Sequence, residues 1–147
     1  MRRQAIERVV ALSGAYRDLI AELPEAALAR KLADRSNTVG AQLWCVVGAR
    51  ESYIAAIESD GWAGFSCSLS GADVTNKERV FEALSQSQSQ LEETIGRIEW
   101  TGTRQGLLLD LLEHETQHQG QLIRYLYALD LPIPESWAQR WALDRGE

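Results

Sequence analysis

Histidine is scarce in this chain. There are two, His114 and His118, in 147 residues. A metal site built on them therefore needs a third ligand of another type. There are two cysteines, Cys45 and Cys67, too few for a disulfide framework. Free thiols in a reducing compartment are expected, which points to the cytoplasm. No run approaches the roughly 18 apolar residues of a membrane span. "MRRQAIERVV" lacks a long apolar stretch after its arginines, so no secretory signal is expected. The formal net charge is -6, and no basic run tracks phosphates. Nucleic acid and anionic membrane surfaces are thus disfavoured as partners. Prolines occur only at positions 24, 132 and 134, which leaves long stretches free to be helical.

Hydrophobic residues make up 45% and charged residues 24%, ordinary for a soluble globular chain. The length suits one domain, residues 1–147, and no internal repeat or boundary is visible. Apolar spacing predicts a first helix over 3–23, with Ile6, Val9, Tyr16, Ile20 and Leu23 on one side and Pro24 at its end. A short helical turn is expected in "EAALARKLA". A second helix begins at Asn37 or Thr38, both good caps, and runs to 59. Residues 59–73, rich in glycine and serine, read as a loop. Thr75-Asn76-Lys77-Glu78 has the form of a capping box for a third helix ending near 99. Val80, Leu84, Leu91, Ile95 and Ile98 carry its rhythm, and its "SQSQSQ" reads as a solvated face. A fourth helix is expected over 104–129, and "ESWAQRWAL" as a short closing one. The fold class is all-α, a four-helix bundle with a short C-terminal helix.

The fourth helix contains His114-Glu115-Thr116-Gln117-His118, a match to H-E-x-x-H. On a heptad seam, Leu107, Leu111, His114, His118, Gln121, Tyr125 and Ala128 share one face. Residues four apart differ by about 6 Å of rise and 40° of rotation, so both imidazoles can reach one ion. Hydrogen-bonded core histidines fit the same spacing. Cys45 is a candidate third ligand, on a stripe of small residues: Ala41, Cys45, Gly48, Ala49, Ser52 and Ala56. Tight packing around an inert cysteine fits that stripe as well. Glu51 and Glu58 are further candidates, and Cys67 lies in the loop. A zinc peptidase would use Glu115 to activate water and take a third ligand from downstream. Only Glu135 is even roughly placed for that. No H-x-x-G-x-x-H extension follows, and no strand is expected to bind a peptide.

"HETQHQGQLIRYLYAL" resembles the last long helix of the DinB/YfiT-like superfamily of metal-dependent enzymes, with its H-x-x-x-H-x-G-Q pattern. (This is the damage-inducible family, not the polymerase of that name.) His114 and His118 fall on its two C-terminal ligand histidines, and Gly120 and Gln121 on its G-Q. "NTVGAQLWCVVGARESYI" resembles the family's second-helix region. There Thr38 matches the cap, Arg50-Glu51 the polar tail, and Cys45 coincides with the first histidine ligand. The resemblance implies a four-helix bundle, often a homodimer, with a divalent metal such as zinc or nickel in a central pocket. Relatives include thiol-dependent S-transferases, some using bacillithiol or mycothiol, and a maleylpyruvate isomerase. Cys45 departs from the three-histidine pattern. A Cys-His-His site is sound for borderline-soft ions and carries less positive charge.

Two functions follow. One is a metal-dependent transferase or hydrolase acting on a small molecule, with a low-molecular-weight thiol as cosubstrate. Cys45, His114 and His118 would be its ligands, and Glu115, Gln121, Tyr125 and Arg50 would line its pocket. The other is a non-catalytic bundle whose site has lapsed or is structural. The five tryptophans suit core packing or a dimer interface.

Overall fold

The computed structural model describes residues 2–146. Helix α1 (Arg2–Glu22) runs to the residue before Leu23, and Pro24 then turns the chain into a short 3-10 segment, Glu25–Ala29. That segment is shorter than the expected helical turn, because Arg30 is already extended. Helix α2 (Val39–Ser59) starts at Thr38, whose side-chain oxygen accepts from Ala41 N. Gly40 sits where a β-carbon would collide with the Val74 carbonyl, so the chain crosses α2 closely there. Helix α3 (Lys77–Arg97) is capped by Asn76, whose side chain accepts from Arg79 N. The expected box on Thr75 is therefore displaced by one residue. Thr101 caps α4 (Gly102–Ala128), and α5 (Glu135–Trp141) closes the chain. Among the described residues the fold is all-helical, a bundle of four long helices with a short C-terminal one. None of these helices is long and apolar enough to cross a membrane.

Helix α2 packs against α3 and α4, and α1 packs against the same two, so α1 and α2 lie on opposite corners. The α2–α4 pair is antiparallel. Tyr125 Oη donates to Asn37 O at one end, at 2.6 Å, and Arg104 Nε to Ile57 O at the other, at 2.7 Å. Helix α5 plugs one side. Trp137 is fully buried, donates to Ala15 O at 2.7 Å and meets the Tyr16 ring edge-on. Trp44, Trp100 and Trp141 are half-buried, and Trp62 is 57% exposed.

The apolar core falls into two clusters. One gathers Tyr16, Leu19, Leu43, Val47, Leu84 and Leu122; the other gathers Val9, Ile54, Ile57, Leu91, Leu108 and Leu111. Buried polar residues accompany them, and two come from the stretch expected to be solvated. Ser87 and Gln88 of "SQSQSQ" are buried. Ser87 Oγ accepts from Arg50, and Gln88 Nε2 donates to Val10 O. The helical period carries one pair of that polar run inward, where those bonds offset part of its desolvation and Gln88 Oε1 has no partner.

Helix α4 also departs from the heptad seam. Leu111, His118 and Tyr125 are buried and His114 is half-buried, but Gln121 and Ala128 are exposed. The buried line is Leu108, Leu111, Glu115, Gln119, Leu122 and Leu126. From Leu108 to Leu126 is five turns at about 3.6 residues each. A straight helix drifts about 20° per heptad from a seven-residue seam, which moves Gln121 and Ala128 outward.

Candidate metal centre

Cys45 from α2 and His114 and His118 from α4 converge. Their ligand atoms all lie within 4.8 Å of one another. The antiparallel register sets Cys45 opposite His114 and Gln42 opposite His118. Cys45 Sγ is 3.6 Å from His114 Nε2. A tetrahedral zinc ion with Zn–S about 2.3 Å and Zn–N about 2.0–2.1 Å separates its S and N ligands by about 3.6 Å. That edge of the triangle fits an ion as it stands. The imidazoles are 4.6 Å apart between centroids and inclined at 63°. His118 Nδ1 lies 2.6 Å from Gln42 Oε1, which leaves its Nε2 for ligation. His114 Nδ1 is buried with no hydrogen-bond partner. Three ligands would leave a fourth tetrahedral position open.

The electrostatics suit neutral ligands. Burial pushes the Cys45 thiol up. Burial lowers His114, against the opposing pull of the Glu115 charge. Burial, and then the neighbouring His114, lower His118 to about 4. At neutral pH both imidazoles are thus neutral and Cys45 carries a proton that ligation must displace. A divalent ion and one thiolate would leave the site with a single net positive charge.

The other sequence candidates are occupied elsewhere. Glu51 accepts from the Ser68 backbone N–H and hydroxyl, and Glu58 from Thr94 and Arg97. Cys67 contacts the Trp44 carbonyl and is not part of the triad; burial pushes its thiol up to about 11. Tyr125 spends its hydroxyl on the Asn37 carbonyl. Gly120 and Gln121 face outward.

Glu115 and Arg50 form a second polar assembly. They are ion-paired and almost fully buried. Arg50 Nη2 donates to Ser13 O at 2.7 Å, and Nη1 to Leu84 O and Ser87 Oγ. Glu115 also accepts from Ser13 Oγ, and its backbone carbonyl from Tyr16 Oη. Gln119, one turn on, donates to Leu12 O and accepts from Trp141 Nε1. This assembly ties all four long helices together beside His114 and His118.

Gln42, Ser13, Ser87 and Gln119 are absent from the sequence-based site. Gln42 had a signal: it is a polar residue in the run 39–49, otherwise apolar or small, one turn before Cys45. The other three become visible only once the four helices are assembled.

The loop after α2 folds back onto that helix. Ser66 N donates to Ser52 Oγ, and the Phe65 ring covers Gly48, so closely that a β-carbon there would meet it. Phe65 also stacks obliquely on Trp44, 5.3 Å between centroids. Gly48 thus gives the loop's aromatic ring a seat one turn from Cys45. Compared with known proteins, the chain matches no family model and no curated protein.

Proposed function

We propose that this protein holds one divalent ion, zinc or nickel, through Cys45 Sγ and one nitrogen each of His114 and His118. On this reading it acts as a DinB/YfiT-type transferase or hydrolase on a small molecule. The observation that carries the proposal is the convergence of three ligand atoms from two helices within 4.8 Å.

A bound divalent ion would supply Lewis acidity, lowering the pKa of a coordinated water or thiol toward neutrality. The chain's own part is to surrender the Cys45 proton, keep both imidazoles neutral and hold them in register. The aromatic pair Trp44 and Phe65 would give an organic substrate an apolar wall beside the centre. Glu115 is poorly suited to act as a peptidase base, because its carboxylate is engaged by Arg50 and Ser13. A thiol nucleophile asks less of it, since metal binding itself can remove the thiol proton.

That engagement also favours a second reading. With Glu51, Glu58 and Glu115 all held elsewhere, the site would be structural and the bundle non-catalytic. The two share the metal and differ in turnover. Protein purified without an affinity tag should take up one equivalent of Zn²⁺ or Co²⁺ per chain. The cobalt form should show a thiolate charge-transfer band that Cys45→Ala abolishes and Cys67→Ala keeps. Absence of stoichiometric uptake sinks both readings. Uptake without reaction across a panel of low-molecular-weight thiols and an electrophile would leave the structural one. A homodimer belongs to the first reading, and sedimentation velocity tests it.

A further inference from the structure

The two ligand histidines are supported unequally. His118, 9% exposed, has Gln42 Oε1 at 2.6 Å from Nδ1. His114 has nothing at Nδ1. A carboxamide oxygen only accepts, so the ring nitrogen facing it must carry the proton. Neutral imidazole in water prefers its proton on Nε2, the nitrogen that would have to be bare to ligate. The histidine nearest an amide oxygen is thus turned to the less common form.

We infer that Gln42 is a positioning residue: it holds His118 as the Nδ1–H tautomer, so that Nε2 presents its lone pair to the centre before any ligand arrives. Gln42 is itself 4% exposed and rises from α2 one turn before Cys45. One helix therefore carries both a ligand and the group that orients another ligand across the interface. Outer-shell acceptors of this kind fix ring orientation and raise ligand basicity. His114, lacking one, is left to take whichever tautomer its Nε2 partner dictates. In the protein without metal that partner is the Cys45 sulfur, at 3.6 Å.

The consequence for metal binding rests on the proposed metal site, but the tautomer does not, so the two can fail separately. The test uses ¹⁵N-labelled, chelator-treated full-length protein near neutral pH. Long-range ¹H–¹⁵N correlation reads the tautomer of each ring, and with two histidines the assignment needs only His114→Gln. Wild-type His118 should be protonated on Nδ1. In Gln42→Leu it should shift toward Nε2–H. In Gln42→Glu, which keeps an oxygen acceptor, the Nδ1–H form should persist. Zn²⁺ affinity, measured by competition with a chelator, should fall about 10–100-fold in Gln42→Leu and recover in Gln42→Glu.

A wild-type His118 protonated on Nε2 overturns the inference, because the Gln42 amide would then present its N–H group to Nδ1. An Nδ1–H signal unchanged in a folded Gln42→Leu overturns it too. The wild-type spectrum decides even if Gln42→Leu does not fold. The expected tautomers in a protein that takes up no metal would uphold Gln42's role and remove the metal reading instead.

Discussion

Two polar clusters sit side by side on α4, and they differ in how completely they are bonded. Around Arg50 and Glu115, both carboxylate oxygens and all three guanidinium nitrogens have partners drawn from α1, α2, α3 and α4. Around Cys45, His114 and His118, a sulfur faces a ring nitrogen and another ring nitrogen has no partner. A saturated cluster, in which every polar atom is already bonded, offers little to a ligand, and its bonds run between the helices. An unsaturated one keeps lone pairs available at a cost in stability. The contrast fits architecture for the first and, on the metal reading proposed above, ligation for the second, although His114 and Glu115 are consecutive residues.

The largest expected effect breaks the saturated cluster. Arg50→Ala or Glu115→Ala strands a buried charge and should cost about 3–5 kcal/mol in urea unfolding, enough to threaten folding. The double change Arg50→Met with Glu115→Leu should cost less than either single one. A single truncation costing under about 1 kcal/mol would place the pair among weak surface contacts instead.

Acid should act on the other cluster. The unfolded chain's imidazoles bind protons from about pH 6.5 downward, while folded His118 resists until about 4. Stability of the metal-free protein is therefore intact above pH 6.5 and lost as pH falls toward 4. At about 1.36 kcal/mol per unit, His118 accounts for no more than about 3.4 kcal/mol. Melting curves across that range should show the decline, and His118→Gln should flatten it. A decline unaffected by that substitution would mean that other groups govern the acid response.

The smallest effect on stability sharpens the contrast. Cys45→Ala should change the unfolding free energy of the metal-free protein by less than about 1 kcal/mol, since it breaks no saturated bond. In the wild type, zinc uptake at neutral pH should release about one proton per ion, the Cys45 thiol proton. Cys45→Ala should abolish that release. A larger stability loss than for Arg50→Ala would invert the assignment of roles.

Much of the fold was legible because its signals are local. Pro24 bounds α1, Thr38 caps α2, and the apolar rhythm of α3 places Val80, Leu84, Leu91 and Ile95 inward. The convergence of Cys45 with the two histidines was expected on the family resemblance, and the helices do bring the three together. The saturated cluster was not legible. In sequence, Glu115 reads as a candidate peptidase base or a pocket residue because its partner lies 65 positions away. The clue was Arg50: a cation in the middle of a largely apolar helix must find a buried anion. The outward turn of Gln121 and Ala128 was missed because a heptad seam accumulates error along a straight helix.

The α2–α4 register has one last consequence. A slip of one residue would carry each side chain about 1.5 Å along and 100° around its helix. Cys45 and His114 would then no longer face each other, and the Arg50–Glu115 pair would part with them. A colour arising from a cobalt–sulfur bond would vanish at that slip, whereas far-ultraviolet circular dichroism would barely change. On the proposed metal reading the triad would thus serve as a built-in caliper for helix alignment, able to separate a loosely packed bundle from a correctly seated one.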